Sequence, residues 1–438
     1  MILLLSLGLA AAAPRDVLRD ETFHVARPSE VVAVVSAGCA GCSWGEKGHE
    51  AAALALTVDG RYSQHLFLVR GEPPAAYRVA LGPLATGMHR LEIELDRKAG
   101  ARRVSSATVE RVEIVAVPEG DPENEALAFA PVLHARANTI GRFTDLPLLM
   151  WYETEPTPRG TRLRYSVIFT NEDGGTPADR LMATWGRVTD IELVYAVERD
   201  AAGRVLEELF QGPEHHMTAF AGVHEGNHPL LWVATDNNMV SDRGRTTRRY
   251  APTPMAFDLA SATREAVMDA SPWTYRVSAE EARREGRIAP TARPGSGRIV
   301  DPRRYAYLEA CAQVEDAALS FAVEVTPPAG EPRWFESDGG LRRFRIQRAG
   351  CFQAAVALPP GTTGSSVSAL RLRADTRLPR EGERPLPPGS GAARLTRVNR
   401  LFLLDEGFAP GPSLLVWTGD VELKIGGPPL VLRISGGR

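Results

Sequence analysis

Asp190-Ile191-Glu192-Leu193-Val194-Tyr195-Ala196-Val197 is the stretch on which the fold of this chain turns. Its alternating apolar pattern has the period of a β-strand with a packed face. Ile191, Leu193, Tyr195 and Val197 form that face. Asp190 and Glu192 begin the opposite one, with their carboxylates roughly 7 Å apart. Val194 and Ala196 continue this second face, which is therefore half-covered, as at the mouth of a cleft. Upstream lie Asn171-Glu172-Asp173-Gly174-Gly175-Thr176-Pro177-Ala178-Asp179 and Trp185-Gly186-Arg187-Val188-Thr189. Glu172, Asp173 and Asp179 thus join Asp190 and Glu192 in one acidic neighbourhood. Carboxylates gathered on rigid backbone repel one another unless a cation, an arginine or a shared proton compensates.

Partly desolvated carboxylates favour a hard cation, which makes Asp179, Asp190 and Glu192 candidate ligands for Ca2+ or Mg2+. Asn171, Glu172 and Asp173 offer further oxygens, and Gly174-Gly175 permits the turn a ligand loop needs. The spacing is not that of an EF-hand. Two plainer readings stand beside this one. Thr176-Pro177-Ala178-Asp179 has the form of a helix start, in which Asp179 only satisfies helix N–H groups. Asp190 and Glu192 can also be neutralised by Arg187 and another arginine, leaving no ion.

Further out, residues 162–170 alternate as a strand that delivers the acidic loop at its end. His215, His216, His224 and His228 fall in the same third of the chain, and Asp236 and Asn237 follow a strand-like run. His216 is the candidate ligand or general base, and Arg187, Asp236 and Asn237 complete a candidate binding set. The sequence contains no P-loop and no Gly-rich dinucleotide fingerprint after a strand. Arg243, Arg245, Arg248 and Arg249 form a small basic cluster that reads as a solvated loop.

The whole chain has 438 residues, too many for one core. Its formal net charge of -3 excludes the basic excess on which electrostatic nucleic-acid binding depends. Forty glycines and 33 prolines, with few long helical patterns, point to strands and turns. Six candidate strands at 31–35, 52–58, 65–69, 77–81, 89–95 and 109–117 predict an N-terminal β-sandwich over 15–118. A central β-sandwich carrying the acidic cleft occupies 119–290, with a short helix opened by Ser278-Ala279-Glu280-Glu281 and ended by Gly286. Pro290-Thr291-Ala292-Arg293-Pro294-Gly295-Ser296-Gly297 reads as a linker. Strands at 321–325, 343–347, 352–358 and 414–417 then predict a C-terminal β-sandwich over 298–438. The fold class is mainly β: three β-sandwich-like domains in tandem with a few short helices.

Residues 1–14 form a short apolar run ending in small residues, the form of a signal peptide without a charged n-region. No segment reaches transmembrane length. The four cysteines allow three pairings, of which Cys39–Cys42 with Cys311–Cys351 is simplest. The Cys-x-x-Cys lies among turn residues leading into strands, where a structural disulfide is favoured over a redox centre.

The string at 185–192, running into the strand at 193–197, resembles the Gly-His-Arg-His-Asp-Trp-Glu motif of the necrosis-inducing, Nep-like secreted toxins. A related pattern occurs in vacuolar-sorting-associated families with similar β-sandwich domains. Residues 129–134 are similar to an early strand of the toxin family, and residues 228–238 to its later His-Pro-containing strand. The resemblance covers 126–255. It implies a β-sandwich and a divalent cation held at a host membrane surface by an aspartate, a histidine and the motif's Asp and Glu. By position, Asp190 and Glu192 match the motif carboxylates, and Asp179 lies where the upstream aspartate would. Arg187 stands in place of the ligating histidine, Thr189 of the second histidine and Ile191 of the tryptophan.

The expectation is an exported, non-enzymatic, secreted, periplasmic or cell-surface protein. Its ligand is a glycan or lipid headgroup bound beside a candidate divalent cation. The alternative is a metal-assisted polysaccharide hydrolase or lyase using Asp190 or Glu192, with His216 as base.

Overall fold

The computed structural model describes residues 16–138, 143–172, 174–327, 330–379, 382–387 and 389–434. The expected signal peptide lies outside the described residues. The fold is mainly β, with four short α-helices among the described residues.

The acidic stretch forms the strand Asp190–Arg199 in a six-stranded sheet. Its neighbours are Gly160–Phe169 and Val205–Gln211, followed outward by Pro147–Thr157 on one side and Met217–Ala219 on the other. The pairing is antiparallel except for the edge strand Met255–Ala256, which runs parallel to Pro147–Thr157. A smaller sheet built on Val132–His134 and His228–Val233 supplies a second layer.

The acidic strand departs from the simple alternation its sequence suggests. Glu192 pairs with Val167 and Leu193 with Ser166, but Tyr195 pairs with Tyr165, so Val194 is an extra residue. This β-bulge reverses the strand's phase. Tyr195 and Val197 therefore share a face with Asp190 and Glu192, rather than with Ile191 and Leu193. Both faces are buried. On the carboxylate side, Tyr195 and Val197 join Val167, Phe169 and Leu133 in a core that continues into the N-terminal sheets through Phe143, Phe67 and Leu54. On the other side, Ile191 packs with Trp151, Ile168, Tyr307 and Phe402. Burying Ile191 and Val197 in these two cores contributes about 1.5–3 kcal/mol each.

The N-terminal strands form a four-stranded and a three-stranded sheet, with Val17–Val25 as a strand the sequence pattern did not mark. The C-terminal strands form two four-stranded sheets around Phe321, Phe352, Leu370 and Leu401. Residues 343–347 are not a strand; Arg342–Phe344 is a 3-10 turn. The helix near 280 runs Trp273–Arg284, so Ser278 lies inside it and caps nothing. Gly286, at φ +69, does follow its end, where Arg287 N–H donates to the Ala282 carbonyl.

Cys39 pairs with Cys42 and Cys311 with Cys351. No helix among the described residues is long and apolar enough to cross a membrane.

Candidate functional site

The carboxylate end of the acidic strand opens onto a cleft of about 450 Å³. Asp190 and Glu192 lie on its central-sheet side, with Gln211 and His215 beside them. Arg348 and Cys351 reach it from the C-terminal sheet. The cleft therefore lies where the central and C-terminal sheets meet.

Asp190 is 2% exposed and Glu192 7%. Their closest partners are amides. Asn238 Nδ2 donates to Asp190 Oδ2 at 2.9 Å, and Gln211 Nε2 donates to Glu192 Oε2 at 2.7 Å. Burial drives the Asp190 carboxyl well above the usual carboxylate range; Glu192 and Glu172 add to the rise, and Arg187 opposes it. Burial likewise pushes Glu192 up to about 7, against the pull of Arg187, Arg264 and the Gln211 amide.

Arg187 does not form an ion pair with either carboxylate. Its Nε donates to Glu265 Oε1 at 2.9 Å in a buried pair, and another of its N–H groups donates to the Thr189 carbonyl. Among the described residues no arginine or lysine nitrogen lies within 4 Å of Asp190 or Glu192. The nearest titratable nitrogen is His215 Nδ1, 3.7 Å from Glu192 Oε2. Glu214 and His215 hold φ values of +58 and +60, a backbone region that non-glycine residues rarely adopt, at the turn that brings this imidazole to the cleft.

Asn238 is the residue the sequence reading passed over by one position. It is fully buried, at φ +55, and its Nδ2 bridges Asp190 and the Asn171 carbonyl. Its own Oδ1 is buried and meets no donor among the described residues. Asparagine tolerates the left-handed conformation this turn demands, which is the signal that marks it. Gln211, Glu265, Arg264 and Arg348 carry no such local mark. They come from distant segments that only the tertiary fold unites.

The remaining sequence-derived residues fall in different places. Asn171 is buried behind the pair. Glu172 lies at the cleft edge, where its Oε1 accepts from Gly174 N–H, and Asn237 also lines the cleft. Asp173 lies outside the described residues. Asp236 faces a separate shallow depression and pairs with Arg136 at 2.7 Å. His216 is exposed; its neighbour His215 occupies the cleft instead. His224 bonds Glu208, and His228 bonds Glu30 and the Ala130 carbonyl, away from the cleft.

Asp179 is not beside the pair. It lies in the first turn of the helix Ala178–Trp185, and its Oδ2 accepts from the backbone N–H groups of Gly295 and Gly297. It thereby ties the 290–297 segment to the central unit. That helix ends at Gly186, whose φ of +64 and close approach to Gln353 suit glycine. This stop turns the chain from Trp185 towards Arg187.

The fold and cleft together define a mainly β protein with a polar, partly buried cleft. No family model matches the chain, and no curated protein matches it. Among the solved structures similar to it are NLPPya, a Nep1-like protein, in complex with mannosamine, and NLPPya in complex with glucosamine. Each alignment covers 32% of this chain and 75% of the other, at 10% and 11% sequence identity, with a TM-score of 0.24.

Proposed function

We propose that this chain is an exported, non-enzymatic binding protein that takes a sugar in the cleft beside a Ca2+ or Mg2+ ion held at Asp190 and Glu192. One observation carries the reading. Two neighbouring buried carboxylates face a ligand-sized cleft and, among the described residues, have amides rather than arginine or lysine as their closest partners. Buried like charges in this arrangement require a cation or bound protons.

The donor chemistry fits a hard cation. Asp190 and Glu192 offer carboxylate oxygens, the preferred ligands of calcium and magnesium. Such an ion would supply positive charge to the buried pair and a Lewis-acidic contact for sugar hydroxyls. Asn238 orients Asp190, Gln211 orients Glu192, and Arg187, held by Glu265, acts on the carboxylates only across the cleft wall, without an ion pair. The two disulfides fit export, since such bonds persist in oxidising compartments.

The test is a thermal melt after EDTA treatment, then with Ca2+ or Mg2+, for wild type, Asp190→Asn and Glu192→Gln. Wild type should gain several degrees with at least one ion and both variants should not. An unchanged melting temperature with either ion, in all three proteins, contradicts the cation site. Turnover of a polysaccharide panel that vanishes in the variants would replace the binding reading with the hydrolytic or eliminative one. His215, not His216, would then be the base to examine.

A further inference from the structure

The cleft has a second wall of opposite chemistry. Arg264 and Arg348 both line it, close enough to Arg187 that the three guanidinium groups repel one another. Arg187 is engaged by Glu265. Among the described residues, neither Arg264 nor Arg348 has a carboxylate within 4 Å. Arg348 is half-buried, stacked 5.4 Å from the Trp185 ring, and its one hydrogen bond among the described residues goes to the Gln353 carbonyl at 3.3 Å. Burial pulls its guanidinium down to about 10, with Arg187 and Arg264 pulling the same way and Glu265 opposing them.

Both arginines are fixed from the C-terminal sheet. The Cys311–Cys351 bridge anchors the segment carrying Arg348. Thr263 N–H donates to Glu309 Oε1 at 3.0 Å, and Asn399 Nδ2 donates to the Ser261 carbonyl, which pins the loop carrying Arg264. The acidic pair belongs to the central sheet, so the two charged walls approach the cleft from different sheets. A guanidinium half-withdrawn from water and lacking an anionic partner is a ready donor to a carboxylate, phosphate or sulfate.

Building on the sugar-binding reading above, we infer that Arg264 and Arg348 seat an anionic group carried by the ligand, which makes the ligand an acidic sugar. The sugar body then lies towards Asp190 and Glu192, and its carboxylate, phosphate or sulfate lies against the arginine wall.

The test is calorimetric titration of the full chain, at low salt with Ca2+ present, using glucuronate, glucose 6-phosphate, glucose and inorganic phosphate. Wild type, Arg264→Gln and Arg348→Ala are compared; Arg264→Gln guards against a folding defect from unstacking Arg348. The two acidic sugars should bind wild type at least tenfold more tightly than glucose, and each substitution should remove that margin. Phosphate binding to wild type that weakens tenfold in both variants supports the same seat. Equal affinity for glucose and glucuronate overturns the inference and leaves the sugar-binding reading standing. Acidic-sugar binding that is unaffected by EDTA yet lost in the arginine variants keeps the anion seat and removes the cation site. No binding by any anionic probe overturns the inference.

Discussion

Glu192 and Glu281 are two buried glutamates that burial drives up to about 7, yet their surroundings differ in kind. Glu281, 1% exposed, accepts from Trp44 Nε1 at 2.8 Å and from Arg284 at 2.6 Å. Arg284 also lies over the Trp44 ring and reaches Glu50 at 3.5 Å. That cluster joins the helix Trp273–Arg284 to the N-terminal sheets and is closed: each carboxylate oxygen has a donor and the charge has a counter-charge. Glu192 has an amide, a histidine 3.7 Å away and an open cleft. Equal burial thus marks an internal strut in one region and a seat for something external in the other. The partner atoms tell them apart, and the protonation tendency does not.

The contrast breaks most readily at the closed end. Arg284→Ala leaves Glu281 buried without its counter-charge and should cost about 3–5 kcal/mol at pH 8, read as a large drop in melting temperature. The loss should shrink below pH 5, where Glu281 is protonated. A drop of only a degree or two at pH 8 would show that the cluster does not brace the interface.

The pH dependence of the open end comes next in size. Glu192 has a folded-state value of about 7 against an ordinary 4.5. The folded state therefore binds this proton more tightly than the unfolded chain. The stability it contributes is complete below about 4.5 and is lost as pH rises towards 7. That difference corresponds to on the order of 3 kcal/mol. In EDTA, wild type should lose melting temperature across this window, and Glu192→Gln should remove part of the loss. The remainder belongs to Asp190 and Glu281, which titrate in the same sense, and to Asp269, pushed up to about 6. An identical slope in Glu192→Gln would mean that this carboxyl is already ionised and compensated by the protein.

Gly186→Ala is a smaller perturbation. It forces a side chain into φ +64 against Gln353 and should cost about 1 kcal/mol. Because Gly186 sets the turn into Arg187, a disproportionate loss of Ca2+ response in this variant would show that the cleft depends on that turn. His215→Ala should be smallest for stability, within about 0.5 kcal/mol, because the side chain is largely exposed. A measurable change in cation affinity without a change in melting temperature would place His215 in the binding set.

Much of the β architecture was legible in the sequence, because alternation, turn residues and cysteine spacing are local signals. The strand at 190 and the Cys311–Cys351 bridge are examples. The Val194 bulge was not legible, since an extra residue shows only against the partner strand, and it moved Tyr195 and Val197 to the carboxylate face. Asp179 carried a cap-like local signal, but its contact with the backbone of Gly295 and Gly297 is tertiary. Arg187 pairs with Glu265 across 78 positions, a partner no local pattern could nominate. Arg264 and Arg348 were hidden for the same reason: an arginine's role depends on whether a carboxylate happens to reach it.

Among the described residues the acidic pair has no arginine or lysine nitrogen within 4 Å, and on the proposed reading a divalent cation compensates it. The most direct measurement is calorimetric titration of Ca2+, then Mg2+, into EDTA-stripped wild type and Asp190→Asn at pH 7.5. Saturable binding of at least one ion by wild type is expected, with at least a tenfold loss of affinity in the variant. No heat of binding from either ion in wild type, or equal affinity in Asp190→Asn, would contradict it.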